Sequence, residues 1–157
     1  MSLSMSTLNN RPTSAFIAAS WCALIVGAVA YAIGLFNANL MLNEKGLYLV
    51  LLFYGLFSVV SLQKVVRDRL DGLEVTQIYF ALCWVSVAIC IVFLLISLFN
   101  ATMNLSEKGF YIMAYLMSMF GAIATQKNVR DMEYLRQHSV QNKNQLQNHA
   151  YDDENQE

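Results

Sequence analysis

Residues 35–68 read LFNANLMLNEKGLYLVLLFYGLFSVVSLQKVVRD, and residues 98–131 read LFNATMNLSEKGFYIMAYLMSMFGAIATQKNVRD. The second is the first displaced by 63 positions without a gap. Extended back to Ala15 against Ile78, the alignment holds 19 identities in 54 pairs, Trp21 with Trp84 among them. Shared apolarity does not explain this, because the matches fall at the turns and helix ends: Asn37 with Asn100, Glu44-Lys45-Gly46 with Glu107-Lys108-Gly109, Tyr48 with Tyr111, and Gln63-Lys64-x-x-Arg67-Asp68 with Gln126-Lys127-x-x-Arg130-Asp131.

The charges locate each copy. No Asp, Glu, Lys or Arg occurs between Arg11 and Glu44 or between Glu74 and Glu107, two gaps of 32 residues, and residues 46–63 and 109–126 form uncharged runs of 18. A bilayer core about 30 Å thick is crossed by roughly 20 apolar residues. The sequence therefore predicts an all-α membrane protein with four transmembrane helices, at about 15–36, 46–63, 78–99 and 109–126. The two shorter runs rise about 27 Å, and Lys64 and Lys127 can snorkel from their ends to the headgroups. A soluble alternative fails on size, since 157 residues hold too little amphipathic shell to cover four such helices. The first helix is also not read as a cleaved signal peptide, having only Arg11 before it and too long an apolar run.

The repeating unit is a helical hairpin. Because each copy crosses twice, the second enters in the orientation of the first, and the tandem repeats are parallel. The expected organisation is a cytoplasmic N-terminal segment (1–14), a first two-helix repeat (15–68), a cytoplasmic linker (69–77), a second repeat (78–131) and a disordered cytoplasmic tail (132–157), the last from its Gln- and Asn-rich, weakly apolar composition. Arg11, Lys64, Arg67, Arg69, Lys127, Arg130, Arg136 and Lys143 fall on the side of the termini, against Lys45 and Lys108 on the other. Eight to two places both termini in the cytoplasm by the positive-inside rule. Trp21, Trp84, Tyr48 and Tyr111 stand where interfacial aromatic belts are expected.

The paired L-F-N-A and E-K-G-x-Y segments, each closed by Q-K-x-V-R-D, resemble the YiaA/YiaB two-helix-domain family of bacterial inner-membrane proteins over about residues 15–131. The resemblance implies a small polytopic protein of the inner membrane with no established biochemical activity. It adds fold and location and names no reaction.

Glu44 and Glu107 begin the second and fourth helices, where a carboxylate is favoured by free N–H groups and the helix dipole. An alternative pairs Glu44 with Lys108 and Glu107 with Lys45 across the pseudo-twofold axis. At the inner face Lys64, Arg67 and Asp68, like Lys127, Arg130 and Asp131, stand at i, i+3 and i+4. Dipole compensation, a helical ion pair and anchoring to lipid headgroups account for them, with a regulatory partner site as the alternative. Asn37, Asn39, Asn100 and Asn104 are expected to cap and turn the chain. Ser58, Ser61, Ser118 and Thr125 are expected to return their hydroxyls to their own helices. Ala15, Ala19, Ala23 and Gly27 form a small-residue stripe at spacing four, as do Ala114, Ser118 and Ala122; they predict close packing of the first and fourth helices, within one chain or across a homo-oligomer.

The chemistry of the chain is mostly exclusion. Ten basic and eleven acidic residues leave a net charge of −1, so no excess draws in nucleic acid. No ionisable side chain falls inside a span, which argues against a proton- or ion-coupled pump. The histidines, His138 and His149, lie in the tail, and Cys22, Cys83 and Cys90 lack CxxC spacing and read as free thiols at lipid level. Neither catalysis nor a cofactor or metal is expected. The bilayer is the one partner the sequence names. Two readings follow: a non-enzymatic structural, scaffolding or stress-related accessory membrane component, or a small oligomeric transporter or channel for a neutral solute.

Overall fold

A computed structural model describes residues 12–154 as four α-helices: α1 (Ser14–Asn37), α2 (Leu42–Leu70), α3 (Gln77–Asn100) and α4 (Leu105–Glu154). The expected N-terminal segment lies, through residue 11, outside the described residues, as do the last three residues of the tail. Thr13 caps α1, its Oγ1 accepting from Phe16 N at 3.3 Å. α2 passes the predicted end at 63 because no Gly or Pro interrupts residues 64–71 and Lys64, Arg67 and Arg69 favour helix, and it closes at Gly72, whose φ of 78° is open to glycine. There Leu73 N donates to Asp68 O at 2.9 Å, a Schellman-type stop.

α1, α2 and α3 are long and apolar enough to cross a membrane, yet only 17%, 33% and 22% of their most apolar windows are buried within the chain. The rest faces outward. Phe16, Trp21, Ile25, Val29, Ile33 and Phe36 on α1 alone make an apolar band that water would not tolerate and lipid solvates. α4 differs from the other three. Its apolar half is the most deeply enclosed, with Tyr111, Ala114, Tyr115, Ser118, Met119 and Ala122 all buried.

The hairpins interleave. α1 packs chiefly on α4, and α3 on α2, so the first helix of each repeat lies against the second helix of the other copy. The α1–α4 contact is backbone to backbone: a Cβ added to Gly27 would lie 2.7 Å from Ser118 N, and one added to Gly121 would lie 2.7 Å from Leu24 Cα. The predicted stripe on α4 is buried throughout. On α1 it needs correction, because the packed face runs through Ser20, Gly27, Tyr31 and Leu35 while Ala15 and Ala19 lie exposed. Alanine suits a lipid-facing surface as well as an interface, so its spacing does not fix the face.

Two tyrosines tie α1 and α4 to α2. Tyr31 of α1 donates to Tyr48 O at 3.1 Å, and Tyr115 of α4 donates to Leu51 O at 3.3 Å, its ring filling the space left by Gly55. Tyr31 meets Tyr111 edge to face at 5.4 Å, and Tyr48 stacks on Tyr111 at 6.1 Å, so Tyr48 and Tyr111 are buried bundle residues and not interfacial ones.

The tail expected to be without structure from 132 onward continues α4 as helix to Glu154. No Gly follows Gly121 and no Pro follows Pro12, so nothing in the backbone stops it. Contacts one turn apart support it: Gln137 donates to Glu133 at 3.4 Å and the Tyr134 and His138 rings stand 4.2 Å apart.

Candidate functional site

The two Glu-Lys-Gly motifs sit at one end of the bundle and do the same work twice. Glu44 accepts from Met41 N at 2.8 Å and Glu107 from Asn104 N at 3.0 Å, each carboxylate satisfying the free N–H that leads into its own helix. The lysines reach the other way. Lys45 Nζ donates to Phe36 O at 2.9 Å and Lys108 Nζ to Phe99 O at 3.2 Å, each ammonium closing the negative end of the preceding helix. Asn37 and Asn100 finish those same helix ends by donating to Ile33 O and Ile96 O, both at 2.9 Å. Each motif therefore clasps its own hairpin. The alternative pairing of Glu44 with Lys108 and Glu107 with Lys45 does not occur, since both lysines are drawn to carbonyls within their own copy. A Cβ on Gly46 or Gly109 would meet nothing within 4 Å, so those glycines do not make room for a neighbour. Between the clasps a cleft of about 470 Å³ opens, lined by Asn37, Asn39, Thr102, Asn104, Glu107 and Tyr111 among others.

The opposite end breaks the symmetry. Asp68 takes Lys64 at 3.8 Å along α2 and Arg130 of α4 at 3.3 Å, an ion pair that crosses between the repeats. The equivalent pair, Arg67 with Asp131, does not form: Arg67 turns to Asp71 at 3.2 Å, and Asp131 stands half-buried without an ion-pair partner among the described residues. Lys127 is exposed and Gln126 half-buried. Gln63 Oε1 and Thr125 Oγ1 are buried with no hydrogen-bond partner, so Thr125 does not return its hydroxyl to α4. Ser118 does, at 2.8 Å, whereas Ser58 meets Cys90 Sγ of α3 at 3.7 Å.

Deeper on the same side, Asn128, 2% exposed, donates through Nδ2 to Ser20 Oγ at 3.0 Å. Ser20 gives its own proton to Phe16 O at 2.7 Å, so its lone pairs must accept, and the amide orientation is fixed with Oδ1 left unpartnered. Sequence reasoning passed over this pair. The signal was available in the repeat itself, because 63 positions away Ser20 and Asn128 become Cys83 and Val65, both buried, so one polar pair stands where the other interface is apolar.

Cys83 and Cys90 are buried free thiols, and Cys22 faces outward. Among the described residues no three His, Cys, Asp or Glu side chains come together as a metal site would require.

Two tandem helical hairpins, apolar on the outside and clasped at one end by a repeated motif, define an α-helical membrane protein built by duplication. The chain belongs to the family described as the yiaA/B two helix domain, which matches it twice, over residues 16–68 and 79–131. It is similar to the inner membrane protein YiaA of Escherichia coli (strain K12), at 50% identity over 117 residues, covering 74% of this chain and 81% of that protein. It is also similar to the uncharacterized membrane protein YubF of Bacillus subtilis (strain 168), at 35% identity over 72 residues, 45% of this chain and 83% of the relative. No solved structure matches.

Proposed function

We propose that this protein is a non-enzymatic accessory component of the inner membrane, with all four helices crossing the bilayer and both termini in the cytoplasm, and that its working surface is the extension of α4. The observation that carries this reading is the length of α4. Fifty residues rise about 75 Å, more than twice the hydrocarbon core, and the excess all leaves the bundle at one end. Along it Tyr134 and Val140 stand about half exposed on a mostly polar helix, as contact residues for a protein partner would.

The α4 span is supported by its antiparallel packing along α1, and its Tyr, Ser, Gly and Thr content suits a helix enclosed by neighbours. The orientation is supported by the basic residues gathered at the end opposite the clasps. The test is purification in native-lipid nanodiscs, measuring mass and co-purifying proteins together. A stoichiometric partner is expected with the full chain and is lost when Tyr134 and Val140 are replaced by Ser. A partnerless homo-oligomer that passes neutral solutes in liposomes would overturn the reading. A membrane-impermeant thiol reagent on intact spheroplasts tests the orientation: Ser106→Cys is labelled, Ser139→Cys is not, each in a Cys22→Ala background.

A further inference from the structure

A cleft of about 720 Å³ lies where the start of α1 meets the outgoing α4. Pro12 and Ile17 form one wall, and Val129, Met132 and Leu135 the other. Its level follows from the packing register. Gly27 stands against Ser118 and Leu24 against Gly121, so Ser14, further back on an antiparallel helix, is level with about Asp131. Glu133 therefore lies about 3 Å and Arg136 about 8 Å beyond the level at which α1 begins, the first inside a headgroup layer about 5 to 7 Å deep and the second at its outer edge.

The two charged side chains lining this cleft are one anion and one cation, and they do not neutralise each other. The ion pairs among the described residues are Lys64–Asp68, Arg67–Asp71 and Arg130–Asp68, so neither Glu133 nor Arg136 is in one. Gln137 donates to one oxygen of Glu133, and no described donor meets the other. The Cα–Cβ bonds of α4 tilt toward its N-terminus, so Arg136 leans back toward the membrane. An apolar slot with a cation and an anion that form no ion pair among the described residues, near headgroup depth, is complementary to a zwitterionic amphiphile. A free protonated amine suits Glu133 best, since it brings N–H donors that a quaternary ammonium lacks.

We propose that this cleft binds one phospholipid of the phosphatidylethanolamine class, with its phosphate on Arg136, its ammonium on Glu133 and the first carbons of an acyl chain along Ile17, Val129 and Met132. The proposal rests on α4 crossing beside α1, and it is independent of which protein, if any, meets the extension.

The experiment uses the full chain in nanodiscs of equal parts phosphatidylethanolamine, phosphatidylcholine and phosphatidylglycerol with matched acyl chains, followed by native mass spectrometry of the released protein. One retained phosphatidylethanolamine is expected, in about fivefold excess over phosphatidylcholine, the discrimination of a charge-assisted hydrogen bond. Glu133→Gln removes that preference while retention of some phospholipid persists; Arg136→Gln lowers retention of all three. Both side chains are exposed, so neither change threatens the fold, and an unchanged helical signal confirms this. Retention in proportion to bilayer composition, or a preference that survives Glu133→Gln, overturns the assignment. So does a chain lacking residues 2–11 that retains lipid where the full chain retains none, because the protein's own N-terminal segment would then be the occupant.

Discussion

Replacing Gly121 by Ala tests whether the α1–α4 contact holds the bundle together. The new methyl would lie 2.7 Å from Leu24 Cα and 2.9 Å from Ala23 C, against about 3.5 to 4.0 Å for carbons in comfortable contact. Both are backbone atoms of a facing helix, so no rotamer change relieves the overlap and the helices must part by about 1 Å. Because the overlap is with backbone, the upper part of the overpacking range applies, about 2 to 3 kcal/mol, and the better helix propensity of alanine returns about 1, leaving a net loss of about 1 to 2 kcal/mol. The same substitution at Gly46, where a methyl meets nothing, keeps only the gain and is expected to be neutral or mildly stabilising. Unfolding by a denaturing detergent, followed by far-ultraviolet circular dichroism, ranks the three proteins: Gly46→Ala at or above wild type, Gly121→Ala well below. A Gly121→Ala protein as stable as wild type would show that the helices do not approach as described, and the packing account would fail.

Ser20→Ala leaves the buried Asn128 amide with no acceptor and should cost about 1 to 2 kcal/mol; adding Asn128→Val, the residue type at the equivalent position 65, should restore stability in the same assay. Failure of that rescue would remove the hydrogen bond from the account. Asp68→Ala, which breaks the tie between the repeats, should destabilise by about 1 kcal/mol, while Asp131→Ala changes the unfolding midpoint little; equal effects would contradict the asymmetry of the end opposite the clasps. Glu107→Ala should cost about 0.5 to 1 kcal/mol through the lost cap, and the double exchange Glu44→Lys with Lys108→Glu should be worse than either single change, because each side chain serves a backbone group in its own hairpin.

The architecture was legible because charge is absent from spans and present at turns, and because Glu-Lys-Gly and Gln-Lys recur at a fixed offset. Which helices meet was legible in part. The small-residue stripes pointed to α1 and α4, and the two do pack together within the chain, but spacing alone left open whether they meet in one chain or between copies and misassigned the face of α1. Repetition also misled: equal motifs suggested equal partners, yet Arg67 and Arg130 diverge, one to Asp71 and the other to Asp68. The tail was misread for a different cause. Low apolar content argues against a packed core, but a helix needs only backbone hydrogen bonds and the absence of breakers.

The interleaved hairpins carry a consequence for synthesis. Gly27 waits for Ser118, which is synthesised ninety-one residues later, about 5 to 20 s at ordinary rates of translation. Through that interval the first hairpin has its clasp but not its principal partner, and Ser20 and the narrow face of α1 are open to whatever else is being inserted nearby. The newborn chain is thus held in shape by Glu44, Lys45 and the Tyr31–Tyr48 hydrogen bond before its principal helix contact can form.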